Sequence, residues 1–180
     1  MNIKLYKDLL ESYNTVHNIT RLKDIDKEIE DSVRVLKLYP EFFMNVKSVA
    51  DIGSGAGFPA LFLASCMQDT RFYLYERAGK KAAFLRLVKT EMNMDNLEIK
   101  HQNFSPKLLQ GKCFDLICSR AMACVEVLLN LAQDFAPKFL FYKGQNLKQE
   151  LECLNTDLFK LLVIERKQGH YLFLEKEEDA

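Results

Sequence analysis

One stretch constrains the fold more than any other: Val49-Ala50-Asp51-Ile52-Gly53-Ser54-Gly55-Ala56-Gly57-Phe58-Pro59. An apolar run leads into three glycines spaced two apart, and a proline follows where a helix would begin. The pattern reads as strand, tight turn, helix. Glycine adopts positive φ and has no Cβ, so such a loop turns sharply and lets a ligand lie against the backbone. Proline suits the first helical position, and a helix N-terminus presents free N–H groups. The spacing is G-x-G-x-G, whereas a dinucleotide fingerprint G-x-G-x-x-G needs glycine at position 58, which Phe58 occupies. An ordinary turn also accommodates such glycines, so the loop needs support. It comes from Tyr75-Glu76, which closes the next apolar run, Phe72-Tyr73-Leu74. An acid at the end of the second strand, about 20 residues past the loop, suits the hydroxyl pair of a ribose. Its simpler role is a strand-end ion pair with Arg77 or Lys80, worth little if exposed. Loop and acid together favour a cofactor that contains a nucleoside.

Around this centre, strand-like and helix-like segments alternate. Residues 2–17 and 24–39 read as amphipathic helices; in the second, Ile25, Ile29, Val33 and Leu36 face inward with Val35 at the margin, and Pro40 stops it. The connection His17-Asn18-Ile19-Thr20-Arg21 reads as a plain bend, closed by Asp24 as a helix cap. Strands are expected over 46–52, 71–76, 97–101, 114–118 and 138–142, and helices over 59–67, 80–92, 106–109, 125–135 and 145–154. Two final runs, 158–166 and 171–175, are joined by Lys167-Gln168-Gly169-His170, too short for a crossover helix, and so form an antiparallel hairpin. Alternation implies a mostly parallel sheet covered on both faces, an α/β fold. With the glycine loop after the first strand and the hairpin at the end, the arrangement resembles the class I S-adenosylmethionine-dependent methyltransferase fold, Rossmann-like with seven strands. The expected organisation is a single domain, 1–180, with a helical extension over 1–45 and a core over 46–180.

Composition narrows the class. At 180 residues, 48% apolar and 28% charged, the chain matches one globular domain with a substantial core. It shows no signal-peptide pattern and no apolar run long enough to cross a bilayer, which points to the cytoplasm. Cys66, Cys113, Cys118, Cys124 and Cys153 form no C-x-x-C pair, so they are expected to be reduced and mostly buried, and no metal is expected. A net charge of zero argues against a large nucleic-acid interface, although Arg77, Lys80 and Lys81 cluster after Glu76, while the end, Glu175-Lys176-Glu177-Glu178-Asp179, is largely acidic.

Ligands of open α/β sheets bind beyond the carboxyl ends of the strands. That rule selects Asp51 to Phe58, Glu76, Gln102 to Ser105, Cys118 to Ala121, and Lys143-Gly144. Asp51 is expected to position the loop by accepting from its N–H groups, ahead of the alternative that it reaches the cofactor. Phe58 and Phe104 suit the flanks of an adenine, or the core. Arg120, following Phe114-Asp115-Leu116-Ile117-Cys118, is expected in the cleft, where its planar fork suits phosphate, carboxylate or the acceptor edge of guanine; the other reading pairs it with Glu126 at the surface. Lys143 has the same strand-end placement. The chain lacks the Asn/Asp-Pro-Pro-Tyr run that holds an exocyclic base amine, and no proline precedes Cys118 as in pyrimidine C5 methylases. An acceptor nitrogen that is already nucleophilic, such as N7 of guanine, needs no base from the protein.

Several pieces are similar, in order, to the bacterial 16S rRNA guanine-N7 methyltransferases, the glucose-inhibited division protein B family. They are Asn18-Ile19-Thr20, Asp31-Ser32, Asp51 to Pro59, Gly79-Lys80-Lys81 with Phe84-Leu85, Ser119-Arg120-Ala121 and Lys143-Gly144-Gln145. The resemblance implies S-adenosylmethionine as methyl donor, and a guanine in a single-stranded loop of 16S rRNA, in the small subunit or its assembly intermediate, as acceptor. It implies cofactor contacts from the loop (Gly53, Ser54, Gly55, Gly57 and Phe58), from Phe104 and Ser105, and from Arg120, which would also position the reacting groups, with Glu76 at the ribose. Arg77, Lys80, Lys81 and Lys143 would face RNA. No membrane or DNA partner is implied, and the chain is expected to act as a monomer. This chain departs from the family where Lys27-Glu28-Ile29-Glu30 precedes Asp31 in place of the usual Arg-His, and near Asn103 and His170, where basic residues are usual. A small-molecule methyltransferase is one alternative, favoured by the neutral charge. A non-catalytic rRNA-binding module is the other; the intact glycines and Glu76 speak against it, and Phe58 and the hairpin against a dehydrogenase.

Overall fold

The computed structural model describes residues 1–109, 111–152, 154–155 and 157–177; Cys153 and the acidic pair Glu178-Asp179 lie outside them. Two helices, α1 (Ile3–His17) and α2 (Ile25–Leu38), come first, capped by Asn2 and Asp24, whose side chains accept from the N–H of Leu5 and Lys27. Pro40 ends α2 as expected and opens a short 3-10 turn to Phe43. Of the inward set, Ile29 and Val35 are fully buried, with Ile25, Val33 and Leu36 partly so, which puts Val35 at the centre of the buried face.

The sheet has seven strands: β1 (Ser48–Ile52), β2 (Arg71–Tyr75), β3 (Leu97–Lys100), β4 (Leu116–Arg120), β5 (Lys138–Lys143), β6 (Phe159–Arg166) and β7 (Gly169–Lys176). They lie in the order β3-β2-β1-β4-β5-β7-β6; β1 to β5 pair in parallel, and β7 runs antiparallel to both β5 and β6. Five further helices connect them: α3 (Ala60–Cys66), α4 (Gly79–Glu91), α5 (Pro106–Leu109), α6 (Val125–Ala132) and α7 (Leu147–Glu152). Each face has its own core. Tyr6, Leu10, Ile29 and Val35 of the first two helices join Phe62 of α3 and Phe84 of α4 on one face. On the other, Leu109, Val125, Leu128 and Leu147 of α5 to α7 pack with Ile117, Phe139 and Leu172. The near-continuous burial of β1, β4 and β5 follows from that double cover.

The one shifted strand is β4, expected over 114–118 and found over Leu116–Arg120. Phe114 precedes the strand, its N–H donating to Phe135 O at 2.8 Å; the Asp115 carboxylate accepts from Lys47 N and Ser48 N while its own N–H donates to Ser48 O at 3.1 Å, and regular pairing with β1 starts at Leu116, opposite Val49. The shift carries Ser119 and Arg120 into the sheet, Arg120 opposite Tyr142. The cysteines also differ from expectation. Cys118 is buried, but Cys66, Cys113 and Cys124 are exposed. No helix among the described residues is long and apolar enough to cross a membrane.

Candidate cofactor and acceptor cleft

The strand order reverses at β1, since β2 and β3 lie to one side and β4 and β5 to the other. Ligands of open α/β sheets settle at such a switch point. A cleft of about 870 Å³ opens there, lined by Gly53, Ser54, Gly55, Phe58, Glu76, Phe104, Ser105 and Arg120, so eight of the expected cofactor residues meet in one place.

The floor is the glycine loop. Gly53 and Ser54 donate their N–H groups to Tyr75 O at 2.9 and 3.2 Å, and Gly55 donates to Glu76 Oε2 at 2.9 Å. The other oxygen, Glu76 Oε1, accepts from Ala78 N at 2.7 Å. Glu76 thus ties the end of β2 to the loop after β1, and each carboxylate oxygen retains a second lone pair for a ligand hydroxyl. Gly53 and Gly55 have φ of +77° and +57°, and a Cβ built on Gly55 would come no nearer than 3.9 Å to its surroundings. The bare backbone of Gly55 therefore faces open cleft.

Asp51 plays a different part from the one its position predicts. Its carboxylate accepts no loop N–H. Asp51 Oδ1 takes the Cys118 thiol at 3.4 Å, while Oδ2 is buried without a partner. The loop-bracing carboxylate is Glu76. Complete burial pushes the Asp51 carboxyl up to about 7, an effect that hydrogen bonds only partly offset.

Arg120 enters the cleft wall from the end of β4, and its partner is neither solvent nor Glu126. Its Nη2 pairs with Glu28, and its Nη1 lies 3.7 Å from Asp31 Oδ2 without a hydrogen-bond partner of its own. Asp31 Oδ2 also accepts from Arg166 Nη1 at 2.7 Å, and Oδ1 from the Tyr171 hydroxyl at 2.7 Å. Two carboxylates of α2 and two guanidiniums alternate across the packed elements. Burial and the neighbouring Arg166 charge bring the Arg120 guanidinium down to about 10, still charged at neutral pH. Glu28 compensates the Arg120 charge.

The aromatic pair belongs to the core and also lines the cleft. Phe58 stacks on Phe62 at 4.9 Å and meets Tyr6 edge-on, yet it lines the cleft. Phe104 packs edge-on against Tyr75 at 5.1 Å with its cleft side free.

Three expected contacts fall outside the cleft. Gly57 is buried beneath the loop, where a Cβ would sit 2.9 Å from Leu61 Cδ1, so this glycine allows α3 to pack and does not face a ligand. Lys80 is exposed beyond the rim, next to Arg77 and Lys81, which do line the cleft. Lys143 is corrected most. It is 6% exposed, donates to Ala123 O at 2.6 Å and pairs with Glu150 at 2.8 Å, while Glu150 accepts from Val125 N. It clamps the loop after β4 instead of presenting a surface charge to RNA.

Sequence reasoning also missed part of the wall. Ile19, Thr20 and Leu22 come from the connection between α1 and α2, and Met122 from the loop after β4, with its Cγ 3.1 Å from where a Gly53 Cβ would stand. For Ile19 and Thr20 the sequence signal was the Asn18-Ile19-Thr20 piece of the resemblance; Leu22 and Met122 had none.

Known proteins share both fold and sequence. A structure of an S-adenosylmethionine-dependent O-methyltransferase from Thermotoga maritima superposes with a TM-score of 0.68 at 16% identity, over 84% of this chain and 66% of that one, a likeness of fold. The ribosomal RNA small subunit methyltransferase G of Campylobacter jejuni is 43% identical over 153 residues, covering 83% of this chain and 79% of that protein. That of Campylobacter curvus is 35% identical over 97% of this chain and 90% of its own length. A family model described as rRNA small subunit methyltransferase G, GidB, matches residues 1–176. On fold, cleft and sequence alike, the chain belongs to the GidB family of rRNA small subunit methyltransferases.

Proposed function

We propose that the chain transfers a methyl group from S-adenosylmethionine to N7 of a guanine in a single-stranded loop of 16S rRNA, acting as a monomer in the cytoplasm on the small subunit or its assembly intermediate. The observation that carries this reading is the meeting of an open glycine backbone, a braced Glu76 and a buried Arg120 in one cleft at the switch point. These residues fit the donor. Gly55 gives it an open backbone to lie on, Glu76 keeps acceptor capacity for ribose hydroxyls, and Phe58 and Phe104 offer apolar faces. Arg120 Nη1 is a buried donor without a partner, suited to an oxyanion.

When bound, S-adenosylmethionine supplies a methyl group on a positively charged sulfur. The titratable side chains in the cleft wall, among the described residues, are Glu76, Arg77, Lys81, Arg120 and Tyr75. Glu76 is occupied with backbone N–H groups, and burial pushes the Tyr75 hydroxyl up to about 12. That lining suits an acceptor with its own lone pair, which guanine N7 provides. The protein's task is then placement and exclusion of water, not proton removal. A guanine in a single-stranded loop can be turned out of its stack to reach such a cleft.

The test is label transfer from tritiated S-adenosylmethionine to small subunits, naked rRNA or a metabolite extract. Label at guanine N7 of 16S rRNA is expected. Label confined to small molecules, or donor binding with no transfer to any of the three, would sink the proposal.

A further inference from the structure

The connection between α1 and α2 reads as a bend in sequence, yet it is built like a binding edge. Asn18 ends α1 at φ +49°. Asn14 then holds the next turn from both sides: its Nδ2 donates to Thr20 O at 3.0 Å, and its Oδ1 accepts from Thr20 N at 2.9 Å. Thr20 Oγ1 accepts from Leu22 N at 3.2 Å, Ile19 is buried, and Asp24 caps α2. The segment is therefore ordered before any ligand arrives, and a partner docking on it pays little ordering entropy.

Its side chains divide into two sets. Ile19, Thr20 and Leu22 line the cleft, and Leu22 is left 38% exposed at the mouth. Arg21 and Lys23 are exposed and enter no ion pair among the described residues. Acids lie close by, but they are engaged elsewhere: Asp24 with Lys27, and Asp26 with Lys7 at 2.7 Å. Two uncommitted cations thus flank an exposed apolar side chain at the lip of the cleft. The Tyr13 hydroxyl, in the last turns of α1, donates to Lys80 O, which sets this lip beside Arg77, Lys80 and Lys81. An apolar side chain within and cations just outside match a polymer of bases and phosphates. A small acceptor held wholly inside the cleft would have no use for the outer charges.

We propose that residues 19–23 form an RNA-docking lip, Leu22 packing on a base at the cleft mouth while Arg21 and Lys23 hold adjacent phosphates. The inference rests on the rRNA reading above. It is tested with the full chain, by donor affinity from calorimetry and by methylation of small subunits or naked rRNA across a salt series. For single-stranded RNA, each phosphate left without its cation lowers the slope of log affinity against log salt by about 0.7. The double variant Arg21→Ser/Lys23→Ser is therefore expected to flatten the slope by about 1.4 and to weaken RNA binding roughly 25-fold at 0.1 M salt, with donor affinity unchanged. Leu22→Ala should raise the RNA KM severalfold and leave the slope alone. As control, Lys160→Ser/Lys176→Ser removes the same charge from the far end of the hairpin, where Lys176 faces Phe159, and should leave the slope as it is. A wild-type slope in the lip variant overturns the proposal, as does an equal loss in the control. A wild-type protein that labels no RNA overturns the rRNA reading itself, a result distinct from both.

Discussion

Lys143 shows how a strand-end cation misleads. Position alone assigns it to a ligand, but the structure surrounds its ammonium with Ala123 O and Glu150. Lys143→Met would strand Glu150, which is partly solvated, and that costs about 2–3 kcal/mol, below the value for a fully buried pair. For a chain of this size the melting temperature should fall by about 4–12 °C, with RNA salt dependence unchanged. An unchanged melting temperature together with a flatter salt slope would return Lys143 to the RNA surface. Asp51 supports a second prediction. Its carboxyl stands near 7 in the folded protein against an ordinary 3.8. Between those values the native state holds more protons than the unfolded one, so this group's contribution to stability falls as pH rises from about 4 to about 7 and is flat above. Asp51→Asn, which resembles the neutral form, should remove that slope and return at most about 4 kcal/mol at pH 8. Urea unfolding from pH 4 to pH 8 decides it; a wild-type slope in the variant would mean Asp51 is not its source.

The glycine loop and α3 separate the cost of folding from that of binding. Gly57 has φ +104°, and a Cβ there meets Leu61 at 2.9 Å, whereas Gly55 has φ +57° and open surroundings. Gly57→Ala should therefore destabilise the fold strongly by displacing α3. Gly55→Ala should cost only about 1–2 kcal/mol of backbone strain but place a methyl group in the open cleft proposed for the donor. Melting curves with and without S-adenosylmethionine are expected to show the Gly55 variant folded and no longer shifted by the donor; a normal donor shift would remove Gly55 from the site. Much of this arrangement was legible in sequence. The loop and Glu76 are local signals, each fixed by the end of its own strand, and the final hairpin follows from a connection too short for a helix, expected over 167–170 and found tighter still, over Lys167-Gln168. The β4 boundary was not, because the regular ladder starts only at Leu116, after an Asp115 whose carboxylate accepts from Lys47 and Ser48, which lie 68 and 67 positions away. Nor was the Glu28–Arg120 pair, whose members are 92 positions apart. Such pairings are set by packing of elements, which leaves no period in the chain.

The first and last parts of the chain meet at Asp31. From α2 it reaches Arg166 of β6 and the Tyr171 hydroxyl of β7, and it lies beside Arg120 of β4 in the cleft wall. On the same face Tyr6 donates its hydroxyl to Ala56 O of the glycine loop at 2.8 Å, and Tyr142 donates to Ser32 O at 2.5 Å. Residues 1–45 are thus bonded to the cleft and to the hairpin, and we propose that they unfold with residues 46–180 as one cooperative domain. Asp31→Asn tests this. It removes the negative charge between two guanidiniums that already repel, which costs about 3 kcal/mol and lowers the melting temperature by about 6–12 °C. If the chain is one unit, amide exchange in α1, α2, β1 and β7 should accelerate by a common factor, because each amide opens with the same global event. If the helices form a separate unit, α2 amides would accelerate while those of β1 kept their wild-type rates. The two results also differ at the cleft. A cooperative unit loses donor affinity only near its melting range, whereas local release of α2 frees Arg120 from Glu28 and alters donor affinity at 25 °C with the sheet intact.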